Sequence, residues 1–254
     1  TSIRIAWTLI QMKPSSTIGI MGCGVAVLMI GGEFDLSAGV AVTSSSLAAS
    51  MLAFNLHLNL WVGAALALVF ALAVGFFNGF LVMKTKIPSF LITLSTFFML
   101  AGVNLAVTKL VAGQVATQSV SDMDGWDSAQ KVFSSTFTVA GVGIRVTVLW
   151  WILFTVVATW VLFKTKIGNW IFAVGGDAES ARAIGIPVTK VKIGLFMFVG
   201  FCAWFVGMHL LFEHDDPSLP PEAITFRELH ARTCRLGNAL RNLGVGKGHP
   251  VTIY

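Results

Sequence analysis

Charged residues are scarce in this chain of 254 amino acids. Asp, Glu, Lys and Arg together make up 11% of it, whereas 56% of the residues are hydrophobic. A soluble domain has about 25% charged residues, and a disordered chain has few apolar ones. The composition therefore excludes a disordered chain and indicates a membrane protein.

Cysteine is also scarce. Cys23, Cys202 and Cys234 lie far apart, without a C-x-x-C pair or a neighbouring His at ligand spacing. This pattern indicates neither a zinc site nor a disulfide framework. We expect buried free thiols, and we expect no metal and no cofactor.

The net charge of +5 does not predict a nucleic-acid partner, because Lys and Arg lie in short loops beside apolar runs. Two of these loops are separated by an even number of predicted spans, so they lie on one face of the membrane, which we expect to be cytoplasmic. Three aspartates lie in a loop on the opposite side. The basic residues are Lys84, Lys86, Lys164, Lys166, Arg182, Lys190 and Lys192, and the acidic ones are Asp122, Asp124 and Asp127.

Apolar runs of membrane-spanning length recur through the first four fifths of the chain. About 20 apolar residues cross the hydrocarbon region as a helix. We predict continuous helices over 60–83, 90–111, 146–163 and 193–211, and two further apolar helices over 18–30 and 38–54. Residues 112–145 are polar and are predicted to form a substantial extramembrane loop. Residues 167–192 are predicted to form a basic loop.

The predicted fold class is an all-α, polytopic transmembrane helical bundle over residues 1–211, followed by a short soluble α-helical tail over residues 212–254. The partner common to all the spans is the lipid bilayer. Thr1 opens the chain without Met or a cleavable signal, and we expect that a preceding span is missing.

A polar interruption over residues 31–37, here called the break, separates the first two apolar helices. It carries Glu33, Asp35 and Ser37, and a carboxylate in hydrocarbon costs on the order of 3 kcal/mol. One interpretation is structural: Asp35 or Ser37 caps the following helix. The other interpretation is a role in gating or in the translocation path. The two can coexist.

The basic loop contains a segment of unusual composition at residues 168–187. A glycine pair, Gly175-Gly176, precedes a helix-prone stretch over 177–183, and Gly185 stands two residues before Pro187. We predict a short helix that lies across the membrane surface. The alternative is an inert amphipathic connector.

Three stretches together resemble the permease subunits of bacterial ribose-type and other monosaccharide ABC importers. They are the break with Ala38-Gly39, the run from Asn78-Gly79 through Lys86-Ile87-Pro88 to Thr93-Leu94, and the loop from Gly175 to Gly185. The resemblance covers about residues 16–207. It implies a bacterial inner-membrane protein that imports a sugar by alternating access and is not itself an enzyme.

The resemblance also implies partners and roles. The expected partners are a second permease copy, a periplasmic sugar-binding protein and a cytoplasmic ATP-binding subunit. Glu33, Asp35 and Ser37 are expected near the pathway. The segment that docks on the ATP-binding subunit is expected to include Gly175, Gly176, Asp177, Ala178, Glu179, Ala181, Arg182 and Gly185.

The tail over residues 212–254 resembles an early segment of AMP-forming acetyl-CoA synthetases, so a ligase fragment is the alternative function. Thr225 and Glu228 form a capping box. The phosphate loop and the catalytic lysine region of that family are absent from the chain, which ends at Tyr254. Gly246-Lys247-Gly248 does not replace the loop, because the P-loop spacing fails at Arg241 and at Gly248. The run His214-Asp215-Asp216 is interpreted as a solvated turn rather than a metal site. We interpret the join of the two parts as artificial.

Overall fold

The computed structural model describes residues 2–113, 119–139 and 142–214. The chain divides into two compact units, Thr1–Asp216 and Pro217–Tyr254. The predictions made for Cys234, for the Thr225 capping box and for the segment around Gly248 lie outside the described residues. The predicted domain boundary after residue 211 stays a prediction.

Long helices dominate the described residues, with a single two-stranded hairpin among them. The elements are α1 (Ser2–Ile30), α2 (Ala38–Asn55), α3 (Leu60–Thr85), α4 (Ser89–Ala112), α5 (Trp126–Phe133), β1 (Thr136–Val139), β2 (Val142–Arg145), α6 (Val146–Lys164), α7 (Lys166–Gly176), α8 (Ala178–Ala183) and α9 (Val188–His214).

The predicted all-α membrane fold is confirmed. Among the described residues, five helices, namely α2, α3, α4, α6 and α9, are long and apolar enough to cross a membrane, and Ser16–Ile30 within α1 is a shorter apolar segment. Each of the four continuous helices predicted from the sequence is present and is longer than predicted by one to eight residues. The added residues include charged ones such as Lys164, which the apolar pattern does not mark as helical.

Helix α9 forms the centre of the bundle. In the apolar stretch of α9, 72% of the residues are buried. The corresponding share for α6 is 17%, so most residues of α6 lie on the outer surface of the bundle. A stripe of small residues at every fourth position of α3 allows the two helices to approach closely. An added Cβ on Gly75 or Gly79 would meet the α9 backbone at Phe196 or Ile193.

Two regions predicted as loops contain regular structure. Residues 112–145 hold α5, which buries Trp126, Ala129 and Phe133 on one face, and the hairpin, in which Thr136 pairs with Arg145. The basic loop predicted over 167–192 contains the expected short helix, α8, but it also holds α7 and the first turn of α9, which are not predicted. The helices form there because their apolar residues recur at helical spacing, as Ile171 and Val174 of α7 show by being buried.

The helix directions give the bundle two distinct ends. We call one the break end, where α1, α3 and α6 finish and α9 begins, and the other the cap end, where α5 and the hairpin lie. Helix α9 reaches the cap end, where Phe212 is fully buried and stacks on Phe133. The predicted basic residues at the ends of α3 and α6 therefore lie at the same end as Lys192, near the start of α9.

Candidate functional site

The break is non-helical, as predicted, and glycine starts it. Helix α1 ends at Ile30, and Gly32 follows with a φ of 81°, in the left-handed region that favours glycine. The chain then runs without regular structure to Ser37, the residue before α2. Two apolar helices therefore meet at a short segment whose backbone groups need partners from elsewhere.

Asp35 is the centre of a buried hydrogen-bond network. Its side chain is 6% exposed, and Oδ1 accepts from the Ser37 amide at 2.8 Å and from Ser37 Oγ at 2.6 Å. Asn78 Nδ2 donates to Ser37 Oγ at 2.9 Å, and Thr96 Oγ1 donates to Asn78 Oδ1 at 2.7 Å. The network thus joins the break to α3 and α4.

This geometry bears on the two interpretations of Asp35 and Ser37. Asp35 binds the amide at the start of α2, where the helix dipole favours an anion. Ser37 makes no side-chain cap of α2, because its hydroxyl donates to Asp35 instead. The structural role predicted for Asp35 therefore has a direct basis, and the gating role stays a prediction.

Side chains of α4 bind the backbone of the break. The Phe34 amide donates to Ser89 Oγ at 3.1 Å, and the Leu36 amide donates to Thr93 Oγ1 at 3.1 Å. Thr93 is fully buried. Because an unpaired buried amide is costly, these two hydroxyl groups make the irregular backbone tolerable inside the bundle.

Glu33 forms an ion pair with Lys192 of α9. The side chains are only 11% and 13% exposed, so each charge needs the other. Removal of either partner would leave a charge with little water around it. The pair connects the break to the beginning of α9.

The segment over residues 175–185 has the predicted short helix. Asp177 caps α8: its Oδ1 accepts from the amides of Glu179 at 2.9 Å and Ser180 at 3.2 Å. The hydrogen bond from the Ser180 hydroxyl, followed by those two amides, holds the pKa of Asp177 below its usual range. Ala181 is buried and packs with Val174 and Val188.

The outer surface of α8 carries charge and one large apolar group. Glu179, Arg182 and Gly185 are exposed, and Ala178 is half-buried. Ile184, which directly follows α8, is 77% exposed. Gly185 has a φ of 88°, so the turn after α8 requires a residue that tolerates the left-handed region.

The two predicted sites are in contact. Gly175, near the end of α7, lies against the last turn of α1: an added Cβ would overlap the Ile30 carbonyl oxygen and lie 3.2 Å from the α-carbon of Gly31. Gly32 also lies against Gly175, because a Cβ added to Gly32 would be 3.4 Å from the α-carbon of Gly175. In contrast, an added Cβ on Gly176 meets nothing within 4 Å among the described residues.

Several residues of this site are not predicted from the sequence. Asn78 is a polar residue inside an apolar span, which is a signal that could have singled it out. Ser89, Thr93 and Thr96 follow helical spacing on α4, but such residues usually bond to their own helix. Lys192 enters the prediction of sidedness alone, since no sequence pattern links it to Glu33.

Comparison with known proteins places most of the described bundle in one family. A profile described as "Branched-chain amino acid transport system / permease component" matches residues 11–226. The match crosses the predicted boundary at residue 212, and the comparisons give no support to the resemblance of the tail to acetyl-CoA synthetases. No solved structure matches.

Sugar permeases are among the similar curated proteins. The L-arabinose transport system permease protein AraH of Escherichia coli is 27% identical over 94% of this chain and 70% of its own length. The ribose import permease protein RbsC of Haemophilus influenzae is 30% identical over 78% of this chain and 58% of its own length. The fructose import permease protein FrcC of Rhizobium meliloti is 24% identical over 79% of this chain and 54% of its own length.

Proposed function

This chain belongs to the family of permease components of branched-chain amino acid transport systems, and from that premise we propose that it is the membrane-spanning permease subunit of an ABC importer for a monosaccharide. The observation that carries the proposal is the match over residues 11–226, with arabinose, ribose and fructose permeases among the relatives. The chain is a multi-pass protein of the inner membrane.

We assign the docking surface for a cytoplasmic ATP-binding subunit to α8 and the turn after it. Its exposed residues combine opposite charges, Glu179 and Arg182, with the exposed apolar side chain of Ile184. A large apolar group beside charges is typical of a protein contact surface. Because Asp177 caps α8 and Ala181 anchors it, the surface is held rigid against the bundle.

ATP hydrolysis belongs to that partner subunit in this proposal, and the chain itself is not an enzyme. A second permease copy would complete the channel, and a periplasmic sugar-binding protein would deliver the sugar to the cap end. The alternative, a fragment of an AMP-forming ligase, rests on residues 212–254 alone. Assay of the purified chain for acyl-adenylate formation should give no product.

We assign Glu33, Asp35 and Ser37 to gating rather than to direct contact with sugar. Their polar atoms are already bound, Glu33 to Lys192 and Asp35 to Ser37. A sugar would have to compete with these buried interactions. A change in the position of the break, by contrast, would alter how α2 lies against α3 and α4.

The test is reconstitution. The chain is placed in proteoliposomes with the ATP-binding subunit and the sugar-binding protein of its importer, and uptake of labelled arabinose, ribose and fructose is measured. We expect ATP-dependent uptake of a monosaccharide that requires all three proteins. Uptake of branched-chain amino acids in place of every sugar would contradict the proposed substrate class.

Orientation is tested separately. Arg182 and Asp124 are exposed at opposite ends of the bundle. Cysteine introduced at Arg182 should react with an impermeant thiol reagent from the cytoplasmic side, and cysteine at Asp124 from the periplasmic side. The native Cys23, Cys202 and Cys234 are replaced by Ala in both variants. Reaction of both sites from one side would overturn the assigned orientation.

A further inference from the structure

We propose that the Gly175 contact and the Glu33–Lys192 ion pair join the break to the α7–α8 segment as one mechanical unit, so that movement of α8 is delivered directly to the Asp35 network. The inference rests on the proposed function and deepens it, because it names the route from the docking surface to the helices. Gly175, Glu33 and Lys192 act as positioning residues.

The backbone contact at Gly175 is the first link of this unit. No side chain intervenes between α7 and the end of α1, since an added Cβ on Gly175 would overlap the Ile30 carbonyl oxygen. A contact between two backbones transmits displacement more directly than one between flexible side chains, because the backbone has no rotamers to absorb the motion. Gly32, opposite Gly175, is the first residue of the break with a positive φ.

The ion pair between Glu33 of the break and Lys192 of α9 is the second link. Ala181 of α8 packs with Val188, the first residue of α9, and Lys192 follows about one helical turn later. Lys192 then binds Glu33, next to Gly32. The break is therefore held at two points, from α7 through Gly175 and from α9 through Lys192.

The third link runs from the break to the spanning helices. The next residues, Phe34 and Leu36, donate their amides to Ser89 and Thr93 of α4. Asp35 reaches Asn78 of α3 through Ser37. The seven residues of the break thus contact the α7–α8 segment at one side and bind both α3 and α4 at the other. A displacement of the α7–α8 segment is therefore passed through the break to these two helices.

The test compares two glycine variants in the assembled transporter. Gly175→Ala inserts a methyl group where there is no room, whereas Gly194→Ala on α9 inserts one into open space among the described residues. Hydrogen–deuterium exchange of the amides over 34–37 reports whether the break stays bound to α4. We expect exchange about tenfold faster in Gly175→Ala and unchanged exchange in Gly194→Ala.

The ion pair gives a second, independent variant set. Glu33→Gln and Lys192→Gln should each increase exchange over 34–37 and reduce the stimulation of ATP hydrolysis by sugar-loaded binding protein. The double variant Glu33→Lys with Lys192→Glu restores opposite charges and should recover at least half of the lost stimulation. Such recovery measures coupling between the two positions, which loss of stability at either position alone would not produce.

The outcomes separate the two proposals. Exchange over 34–37 that is equal in Gly175→Ala and Gly194→Ala, or a charge-exchanged variant no better than the single ones, overturns the mechanical link while the proposed function stands. If the unaltered transporter moves no sugar but Gly175→Ala still loosens the break, the proposed function fails and the link stands. If Gly175→Ala does not insert into the membrane, the variants of Glu33 and Lys192 decide whether the mechanical link exists.

Discussion

The two ends of the helix bundle are held together by different kinds of contact. At the break end, glycine backbones touch, hydroxyl and amide groups form a network around Asp35, and Glu33 pairs with Lys192. At the cap end, Phe133 of α5 stacks on Phe212 of α9 with ring centroids 5.5 Å apart and an interplanar angle of 5°. Aromatic rings pack the cap end, whereas small residues and hydrogen bonds hold the break end.

Polar groups at the cap end centre on one buried histidine of α9. His209 is 1% exposed; its Nδ1 lies 2.7 Å from the Phe133 carbonyl oxygen and its Nε2 lies 3.1 Å from Glu213 Oε2. Glu213 in turn pairs with Arg145 at the end of the hairpin. One side chain of α9 therefore fixes both α5 and, through Glu213, the hairpin.

This contrast between the ends indicates where motion is possible. Interlocked aromatic rings have one good arrangement, because moving them opens cavities. Hydroxyl groups and glycine contacts can exchange partners at lower cost, since each hydrogen bond contributes only about 1 kcal/mol net. The cap end is thus suited to hold the bundle together while the break end moves.

The largest effect is expected on transport, from changes at α8. Glu179→Arg should abolish sugar uptake without loss of membrane insertion, because the reversed charge opposes docking of the ATP-binding subunit. Gly185→Pro should do the same, since Pro fixes φ near −65°, whereas Gly185 has a φ of 88°. Uptake in proteoliposomes and the amount of protein in the membrane fraction are measured. Normal uptake in both variants would refute docking at α8.

The second largest effect is expected on the free energy of unfolding, from a change at the cap end. Phe133→Ala should reduce the free energy of unfolding by about 3 kcal/mol, because it opens a cavity among Trp126, Phe205 and Phe212. Amide exchange over 34–37 should remain unchanged. Unfolding by denaturant in detergent is the measurement, with Phe163→Ala, at a site 69% exposed, as the matched control. Equal loss in both variants would contradict the anchoring role of the cap end.

A smaller effect is expected from the polar network. Asn78→Leu removes the partner of both Ser37 and Thr96, which should reduce the free energy of unfolding by about 1–3 kcal/mol. In this case exchange over 34–37 should increase and that of α5 should not. Ser95→Ala, at an exposed hydroxyl that bonds only its own helix, is the control. Unchanged exchange over 34–37 in Asn78→Leu would show that the network does not hold the break.

The smallest effect concerns pH at α8. The pKa of Asp177 is lowered in the folded chain, so its contribution to stability is present above the usual carboxyl pKa and is lost as pH falls through the lowered value. Protection of the Glu179 and Ser180 amides should therefore persist at pH values where an ordinary Asp begins to protonate, about 4. In Asp177→Asn this dependence should be absent. Loss of protection near neutral pH would contradict the cap.

Most of the fold follows from the sequence, and the reason is physical. Apolar length fixes the spans at α3, α4, α6 and α9, and the Gly31-Gly32 pair marks the break, because both signals are local. Helix α7 is not predicted, because Lys166 and Lys192 give its surroundings the composition of a basic loop. Local composition does not reveal that other helices of the bundle will cover the apolar face of α7.

The site could be predicted only in parts. The cap formed by Asp177 and the irregular backbone at the break depend on neighbouring residues, so the pattern indicates them. The contact of Gly175 with Ile30 and the pairing of Glu33 with Lys192 join residues 145 and 159 positions apart. Such pairings are set by the three-dimensional packing, and no local sequence pattern marks them.

The most direct measurement follows amide exchange at both ends of the assembled transporter, first without nucleotide and then with ATP bound and hydrolysis blocked. We predict that exchange over residues 34–37 changes between the two states, whereas exchange of α5 and the hairpin stays constant. A change confined to α5 and the hairpin, with residues 34–37 equally protected in both states, would contradict a moving break end and a fixed cap end.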